Sequence, residues 1–425
     1  MTEEYGLSYP TDRVDWIEGI NLETLRTGRL RRAEEALFEE NDFGAFLMLN
    51  EWNTRYITST YTPLWTTGSS GLRYALLCRG ADQPILYEQG DIGYHTRRFA
   101  PWLGDENVKY AITGMGWISR TMGKAAHEQQ VGKFVDQIVE DLKLHGVKNQ
   151  TLATDFYDPF VMAAFEKKGV RTSGEGGLAV MHARRLKLPE EVQCIRTTTT
   201  IGDAMFSALV DVLRPGVSEG EILGEMMREC YRLGGEVVSG CLLTSGPYTW
   251  PNLRHYTNRR INYGDVVFAD VFNASWNGYK TCYYRTFSVG EPRKATQEAY
   301  KRSLDWLYEA IDIIKPGVTT REIAEKWPPG PSIWADIGVT TEEMTAGNHW
   351  GHGIGLSLYE PPLIWRGISL DHPMTIEEGM TFAIETQDGD GEGQGVRIEE
   401  VVHVTRNGCE ILSKWPVEEI TVVEM

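Results

Sequence analysis

Two stretches of this chain repeat one another. Leu213-Arg214-Pro215-Gly216-Val217-Ser218, with Glu221-Ile222 behind it, returns about a hundred residues later as Ile314-Lys315-Pro316-Gly317-Val318-Thr319, with Glu322-Ile323 behind it. Eight aligned positions keep their chemical type. Each copy leaves one helical stretch and starts another. Pro-Gly breaks the first helix, and Ser218/Glu221 and Thr319/Glu322 have the spacing of a capping box for the second. A repeat of this period implies one supersecondary unit used twice. The expected architecture is a duplicated half-domain, each half running helix, turn, helix, then antiparallel strands.

The strands carry the chemistry. Residues 264–272 read as a strand leaving a turn, and 279–289 as its returning partner across Asn277-Gly278, a hairpin turn pair. Side chains alternate along a strand, so Val266, Phe268 and Asp270 share one face. Asp270 therefore points where apolar residues point. The second half poses the same puzzle twice. Gly351-His352-Gly353-Ile354-Gly355 is followed by Glu385 in Thr381-Phe382-Ala383-Ile384-Glu385 and by Glu399 in Val396-Arg397-Ile398-Glu399. A buried carboxylate calls for a metal ion, a bound cation or a shared proton, because a lone buried charge is costly. Either glutamate alone reads as an edge-strand residue facing water. The pair, downstream of a glycine-flanked histidine, reads as a functional site. Asp388-Gly389-Asp390-Gly391-Glu392-Gly393 lacks the spacing and helices of a calcium loop, and reads as the turn joining the two glutamate strands. His349 precedes His352 by three residues, but Gly351 and Gly353 argue against a helix presenting both to zinc.

Upstream, residues 44–49, 74–78, 84–87 and 151–154 read as strands, and 25–39 and 129–144 as helices. Their alternation predicts an α/β N-terminal domain over residues 1–187, with 1–22 as an arm. Lys187-Leu188-Pro189-Glu190-Glu191 opens a new helix and starts a second domain at 188–425. A net charge of −18 argues against nucleic acid, whose phosphates need clustered Lys and Arg. No apolar run is long enough to span a bilayer, and Met1-Thr2-Glu3-Glu4-Tyr5 lacks the layout of a signal peptide. The six cysteines show no CxxC spacing and read as reduced thiols of a cytoplasmic protein.

Through these residues the chain resembles the creatinase/aminopeptidase P/prolidase group. The resemblance rests on Gly264-Asp265 to Asp270, Arg285-Thr286-Phe287, Gly351 to Leu356, Glu360-Pro361-Pro362, Glu378-Gly379-Met380, Glu385 and Val396-Arg397-Ile398-Glu399, and it covers nearly the whole chain. It implies an α/β N-terminal domain followed by an α+β "pita-bread" catalytic domain with a curved antiparallel sheet. It implies two divalent metals, which the group's metallopeptidases hold with two aspartates, a histidine and two glutamates. Carried over, these are Asp270, His352, Glu385 and Glu399, while the second, bridging aspartate falls on Cys282. A thiolate binds zinc or iron but does not bridge hard ions as a carboxylate does. The group's substrate-handling histidines fall on Tyr359, before Glu360-Pro361, and on Leu253, with His255 two residues on. The resemblance thus implies His352, Glu385, Glu399, His255 and Tyr359 as catalytic residues. It implies Asp270, Cys282, His352, Glu385 and Glu399 as ligands of one or two Mn, Fe or Zn ions. A homodimer is implied as well.

A metal-free site stays open beside the metal one, because creatinase, in the same group, works without metal. Crowded carboxylates would then raise at least one pKa and suit a cationic substrate. Trp250, Trp276 and Trp350 lie beside the motifs, and aromatic faces hold cations at about 0.5–2 kcal/mol each. They are the expected substrate-binding rings, against the alternative that they fill a core. Local wording at Leu47-Met48, Asn53, Arg55-Tyr56 and Ser245-Gly246-Pro247 is also similar to the dimethylsulfoniopropionate lyase of this fold, though that lyase's base falls on Leu358. The expectation is a hydrolase cleaving a C–N bond in a small polar or cationic molecule or an Xaa-Pro-type dipeptide. The alternatives are a lyase acting on a small onium metabolite and a silent binding protein of the same fold.

Overall fold

The computed structural model describes residues 20–61, 71–236, 241–251 and 254–424. Most of the expected arm at 1–22 lies outside the described residues, as does Leu253. The chain divides into two compact units, Asn21–Arg184 and a second from Arg185 onward. Among the described residues no helix is long and apolar enough to cross a membrane.

The first unit is built on one mixed sheet. Its strands are β1 (Ala45–Met48), β2 (Tyr74–Cys78), β3 (Ile85–Glu88), β4 (Val108–Tyr110), β5 (Leu152–Thr154) and β6 (Thr172–Ser173), in the order β4-β3-β2-β1-β5-β6. β1 pairs antiparallel with β2 and parallel with β5. Every residue of β1 and β2 is buried, which is why these strands read as unbroken apolar runs. The helix Lys124–Leu144 packs Phe134, Ile138 and Leu142 into one core with Leu47, Leu76 and Tyr87. The helix expected at 25–39 starts at Leu22, where the Asn21 side chain accepts from the Thr24 backbone N–H, and widens into a π-helix at Glu35–Glu40.

In the second unit the sequence repeat becomes a structural one. Ser218 caps the helix Glu219–Arg232 and Thr319 caps Thr320–Ala324. In both caps the glutamate three residues on accepts the cap's backbone N–H at 2.8 Å. Gly216 and Gly317 make the preceding turns at φ +90° and +94°, a region that glycine enters without strain. Their N–H groups donate to matching carbonyls, Ile261 at 2.8 Å and Ile376 at 2.9 Å. Each turn follows a long helix that covers its half, Pro189–Val212 in one and Lys294–Ile311 in the other.

The strands of this unit are β7 (Leu242–Ser245), β8 (Val266–Asp270), β9 (Ser275–Trp276), β10 (Tyr279–Lys280), β11 (Tyr284–Val289), β12 (Gly351–Gly353), β13 (Glu360–Ile364), β14 (Thr381–Gly389), β15 (Gly395–Thr405), β16 (Gly408–Ile411) and β17 (Thr421–Val423). They form sheets in the orders β17-β11-β8-β7 and β13-β12-β14-β15-β16, with β9 and β10 as a separate hairpin. β11 and β15 are the seam between the two larger sheets. The Thr286 hydroxyl donates to the Arg397 carbonyl at 2.7 Å and accepts from its N–H at 3.1 Å. Arg285 donates to the Glu400 carboxylate at 2.9 Å, a pair buried on both sides. This is the pita-bread arrangement, and it brings β8 and β15 to one interior.

The return strand expected over 279–289 is not continuous. β9 and β10 close a tight hairpin in which Asn277 and Gly278 both have positive φ, 49° and 80°. The chain then leaves the ladder at Thr281-Cys282-Tyr283 and rejoins it with Tyr284 opposite Asp270. The helix Pro189–Val212 causes the step. The Thr281 and Thr199 hydroxyls lie 3.0 Å apart, and Tyr283 donates to Asp203 at 2.7 Å. With 281 and 283 held by the helix, Cys282 between them faces the other way, into the sheet interior.

Candidate active site

Five side chains from four strands and one irregular step meet in that interior. β14 and β15 pair in a register that sets Glu385 directly opposite Glu399. Like charges in directly opposed positions are destabilising unless something neutralises them. Asp270 ends β8, its carboxylate accepting the Phe272 N–H at 2.9 Å. Cys282 Sγ lies 3.8 Å from Asp270 Oδ1 and 3.8 Å from Glu399 Oε2. His352 Nε2 lies 4.0 Å from Glu399 Oε1. Asp270, Cys282, His352, Glu385 and Glu399 are all buried.

The glycines around His352 are a packing requirement. β12 is squeezed between β13 and β14. A Cβ on Gly353 would fall 2.4 Å from the Glu360 carbonyl oxygen, and one on Gly351 2.7 Å from that of Ala383. Only bare backbone fits on either side of the histidine. The His352 Nδ1 lies 3.2 Å from the Gly353 carbonyl oxygen. A carbonyl can only accept, so Nδ1 carries the proton, and Nε2 presents a lone pair toward Glu399.

Electrostatics at the centre are strained without a cation. Burial, with Glu385 beside it, pushes the Asp270 carboxyl up to about 8. Burial, then Glu385 and Asp270, push Glu399 well above the carboxylate range. The Cys282 thiol is raised by burial and then by Asp270 and Glu399. His352 is lowered to about 4, by burial first and by His349 second. Glu399 Oε1 has no hydrogen-bond partner among the described residues. A buried, orphaned carboxylate oxygen facing an imidazole lone pair is what a divalent cation would satisfy, so the donors present fit one.

Two further residues belong to this neighbourhood that the sequence reading left out. Arg397 Nη2 donates to Glu385 Oε2 at 2.8 Å, and its guanidinium lies 4.3 Å from the Tyr284 ring centroid. It sits two residues before Glu399, hence on the same face of β15, which was the available signal. His349 Nε2 lies 3.6 Å from Glu385 Oε1, and its ring meets those of His352 and Tyr359 edge-on, with centroids 5.2 Å away in each case. Set aside as a helical zinc ligand, it arrives from a loop instead. Tyr359, half exposed, places its ring 4.4 Å from that of His352.

The other expected residues are placed elsewhere. His255 is exposed, and no hydrogen bond or ion pair described links it to the centre. Arg254 and Thr257 on either side both bind the buried Glu219, at 3.0 and 2.7 Å, and His255 and Tyr256 between them are both exposed. Trp350 is buried in a stack with Trp327 and Trp334, centroids 5.2 and 5.9 Å away, and is a core residue. Trp250 lies over the backbone of Gly389 and Gly395 and donates to Asp336 at 3.0 Å. Trp276 sits half-buried on the β9–β10 hairpin, its backbone N–H donating to the Thr198 hydroxyl at 3.1 Å. The three rings do not form a cage.

Fold and centre together define a pita-bread protein with an acid-and-imidazole interior site. The pattern of metallopeptidase family M24 matches residues 193–406, and the chain belongs to that family. It is similar to a "Probable dipeptidase PepE" of Mycobacterium bovis, 27% identical over 239 residues, 56% of this chain and 61% of that protein. The match thus spans about three fifths of that relative's length. An "Xaa-Pro dipeptidase" of Pyrococcus furiosus is 27% identical over 324 residues, 73% of this chain and 85% of that one. In fold, it is similar to an Xaa-Pro dipeptidase from Bacillus anthracis, with a TM-score of 0.71 at 22% identity, covering 93% of this chain and 99% of the other.

Proposed function

We propose that this protein is a metal-assisted hydrolase that cleaves the amide bond of a small peptide of the Xaa-Pro dipeptide type. The observation that carries the reading is the orphaned Glu399 oxygen facing the His352 lone pair across 4.0 Å. Asp270, Cys282, His352, Glu385 and Glu399 are the residues available to hold the ion. When bound, a divalent ion supplies Lewis acidity and lowers the pKa of a water. The chain's own groups do the rest. Arg397 fixes the Glu385 carboxylate in one orientation through a charge-assisted hydrogen bond. Burial pushes His349 down to about 4, so at neutral pH its imidazole is uncharged and stands beside Glu385 as a neutral hydrogen-bonding group. Tyr359 covers the His352 ring and keeps bulk water from it.

Membership of M24 and the named activities of the relatives support peptide hydrolysis over the lyase alternative. The position of the lyase's base is Leu358, which cannot remove a proton. A homodimer in the cytoplasm belongs to the same reading, and light scattering tests the first half of it. The decisive assay incubates the full chain, loaded separately with Zn, Mn and Fe(II), with Xaa-Pro and non-proline dipeptides. Release of free proline supports the proposal. No cleavage of any dipeptide with metal bound would overturn it.

A further inference from the structure

Cys282 occupies the position that the resemblance gives to a metal-bridging aspartate, and its surroundings indicate how many ions the site can take. One donor atom each from Cys282, His352 and Glu399 lie within 4.8 Å of one another, all three residues buried. A second triad, His349, His352 and Glu385, meets the same distance. The triads share His352, whose one free lone pair serves one ion. They are not equivalent. In the first, Glu399 Oε1 is buried and unpartnered among the described residues. In the second, Glu385 Oε2 is already held by Arg397 at 2.8 Å. A bridging carboxylate also offers two hard oxygens, one for each ion, whereas a cysteine offers a single soft sulfur.

We propose that this site binds one thiophilic divalent ion, of the zinc or ferrous type, through the Cys282 thiolate, His352 and Glu399. Glu385, with His349 at 3.6 Å and Arg397 at 2.8 Å, lines one flank of this ion, and Asp270, 3.8 Å from the Cys282 sulfur, lines another. Binding converts the thiol to a thiolate, and its proton passes to solvent. The inference rests on the hydrolase reading only in taking the centre to be a metal site.

The test is Co(II) titration of the full metal-depleted chain, followed by absorption and metal analysis. The expected result is one equivalent per chain with a near-ultraviolet thiolate-to-cobalt charge-transfer band. Cys282→Ser should lose that band while keeping its far-ultraviolet circular dichroism, and Cys230→Ser, a buried thiol outside the site, should keep the band. Cys282→Asp should take up a second equivalent and show no band. Two equivalents in the unaltered chain, or one equivalent without the band, would overturn the inference. A dipeptide assay on the same samples separates the two readings. One ion with the band and no hydrolysis sinks only the hydrolase, and hydrolysis with two ions sinks only the single-ion centre. No uptake of cobalt, zinc or ferrous iron sinks both.

Discussion

His352 Nε2 and Glu399 Oε1 face each other across 4.0 Å, each offering a lone pair to the space between. Two ligands of one tetrahedral zinc, with bonds of about 2.0–2.2 Å each, stand about 3.3–3.6 Å apart, so a closure of about half an ångström lets both reach one ion. Without an ion the two groups can only retreat from charge, which is the direction burial pushes both. The relationship is a product of topology. β12 presents the histidine from one side of β14 and β15 presents the glutamate from the other.

Metal should therefore stabilise the fold, because the ion binds a preformed site that the unfolded chain lacks. At an ion concentration a hundred times its Kd, the gain is about 2.7 kcal/mol. Calorimetric melting with zinc and with chelator measures it. An unchanged Tm would count against a built site.

Replacing Arg397 should be costly. It is buried, paired with Glu385 and stacked on Tyr284. Arg397→Met removes one partner of a buried pair, a change worth about 3–5 kcal/mol. Arg397→Lys should recover only part of this, since an ammonium cannot keep both the carboxylate contact and the ring contact. Urea unfolding of the two variants gives the comparison, and equal stability of Lys and Arg would refute the role given to the planar group.

Gly353→Ala should disturb His352 more than an ordinary surface change. The new methyl carbon would meet two carbonyl oxygens, those of Glu360 and Pro361, at 2.4 and 2.5 Å. Overpacking of this kind costs about 1–3 kcal/mol. Loss of metal affinity along with stability is expected. An alanine variant with unchanged metal uptake would mean that β12 tolerates a shift.

Much of this was legible in advance, for a physical reason. Asp270, Glu385 and Glu399 each interrupt an apolar run at a position whose neighbours face inward, and two-residue alternation then fixes their direction. The capping boxes at Ser218 and Thr319 are equally local, so their spacing sufficed. Contacts made across the sheets were harder to read. Arg397 lay on a readable face, but its partner Glu385 is on another strand. His349 and Trp350 show the limit most sharply. They are consecutive, yet one meets Glu385 and the other a tryptophan stack. Proximity to a motif in sequence does not say on which side of the backbone a ring lies. The break at Cys282 was hidden because it depends on the Thr199 hydroxyl and the Asp203 carboxylate, from a helix about eighty residues upstream.

Acid should destabilise the second unit through Glu219. Burial alone would raise this carboxyl, but hydrogen bonds from Ser245, Arg254 and Thr257 outweigh it and hold the pKa below the ordinary value. The unfolded chain thus takes up the proton at higher pH than the folded one. The stabilisation is complete above the ordinary carboxylate range and is lost as pH falls through the folded value. Glu219→Gln should be less stable at neutral pH and lose less on acidification. Stability curves of both proteins from pH 7 downward provide the check, and parallel curves would contradict the assignment.

The most direct test of the central claim is anomalous diffraction at the zinc edge from crystals grown with zinc. One peak per chain is predicted, about 2.0–2.3 Å from Cys282 Sγ, His352 Nε2 and a Glu399 oxygen. Two peaks flanking Cys282, or a single peak held by Asp270 and Glu385 and out of reach of the sulfur, would contradict it.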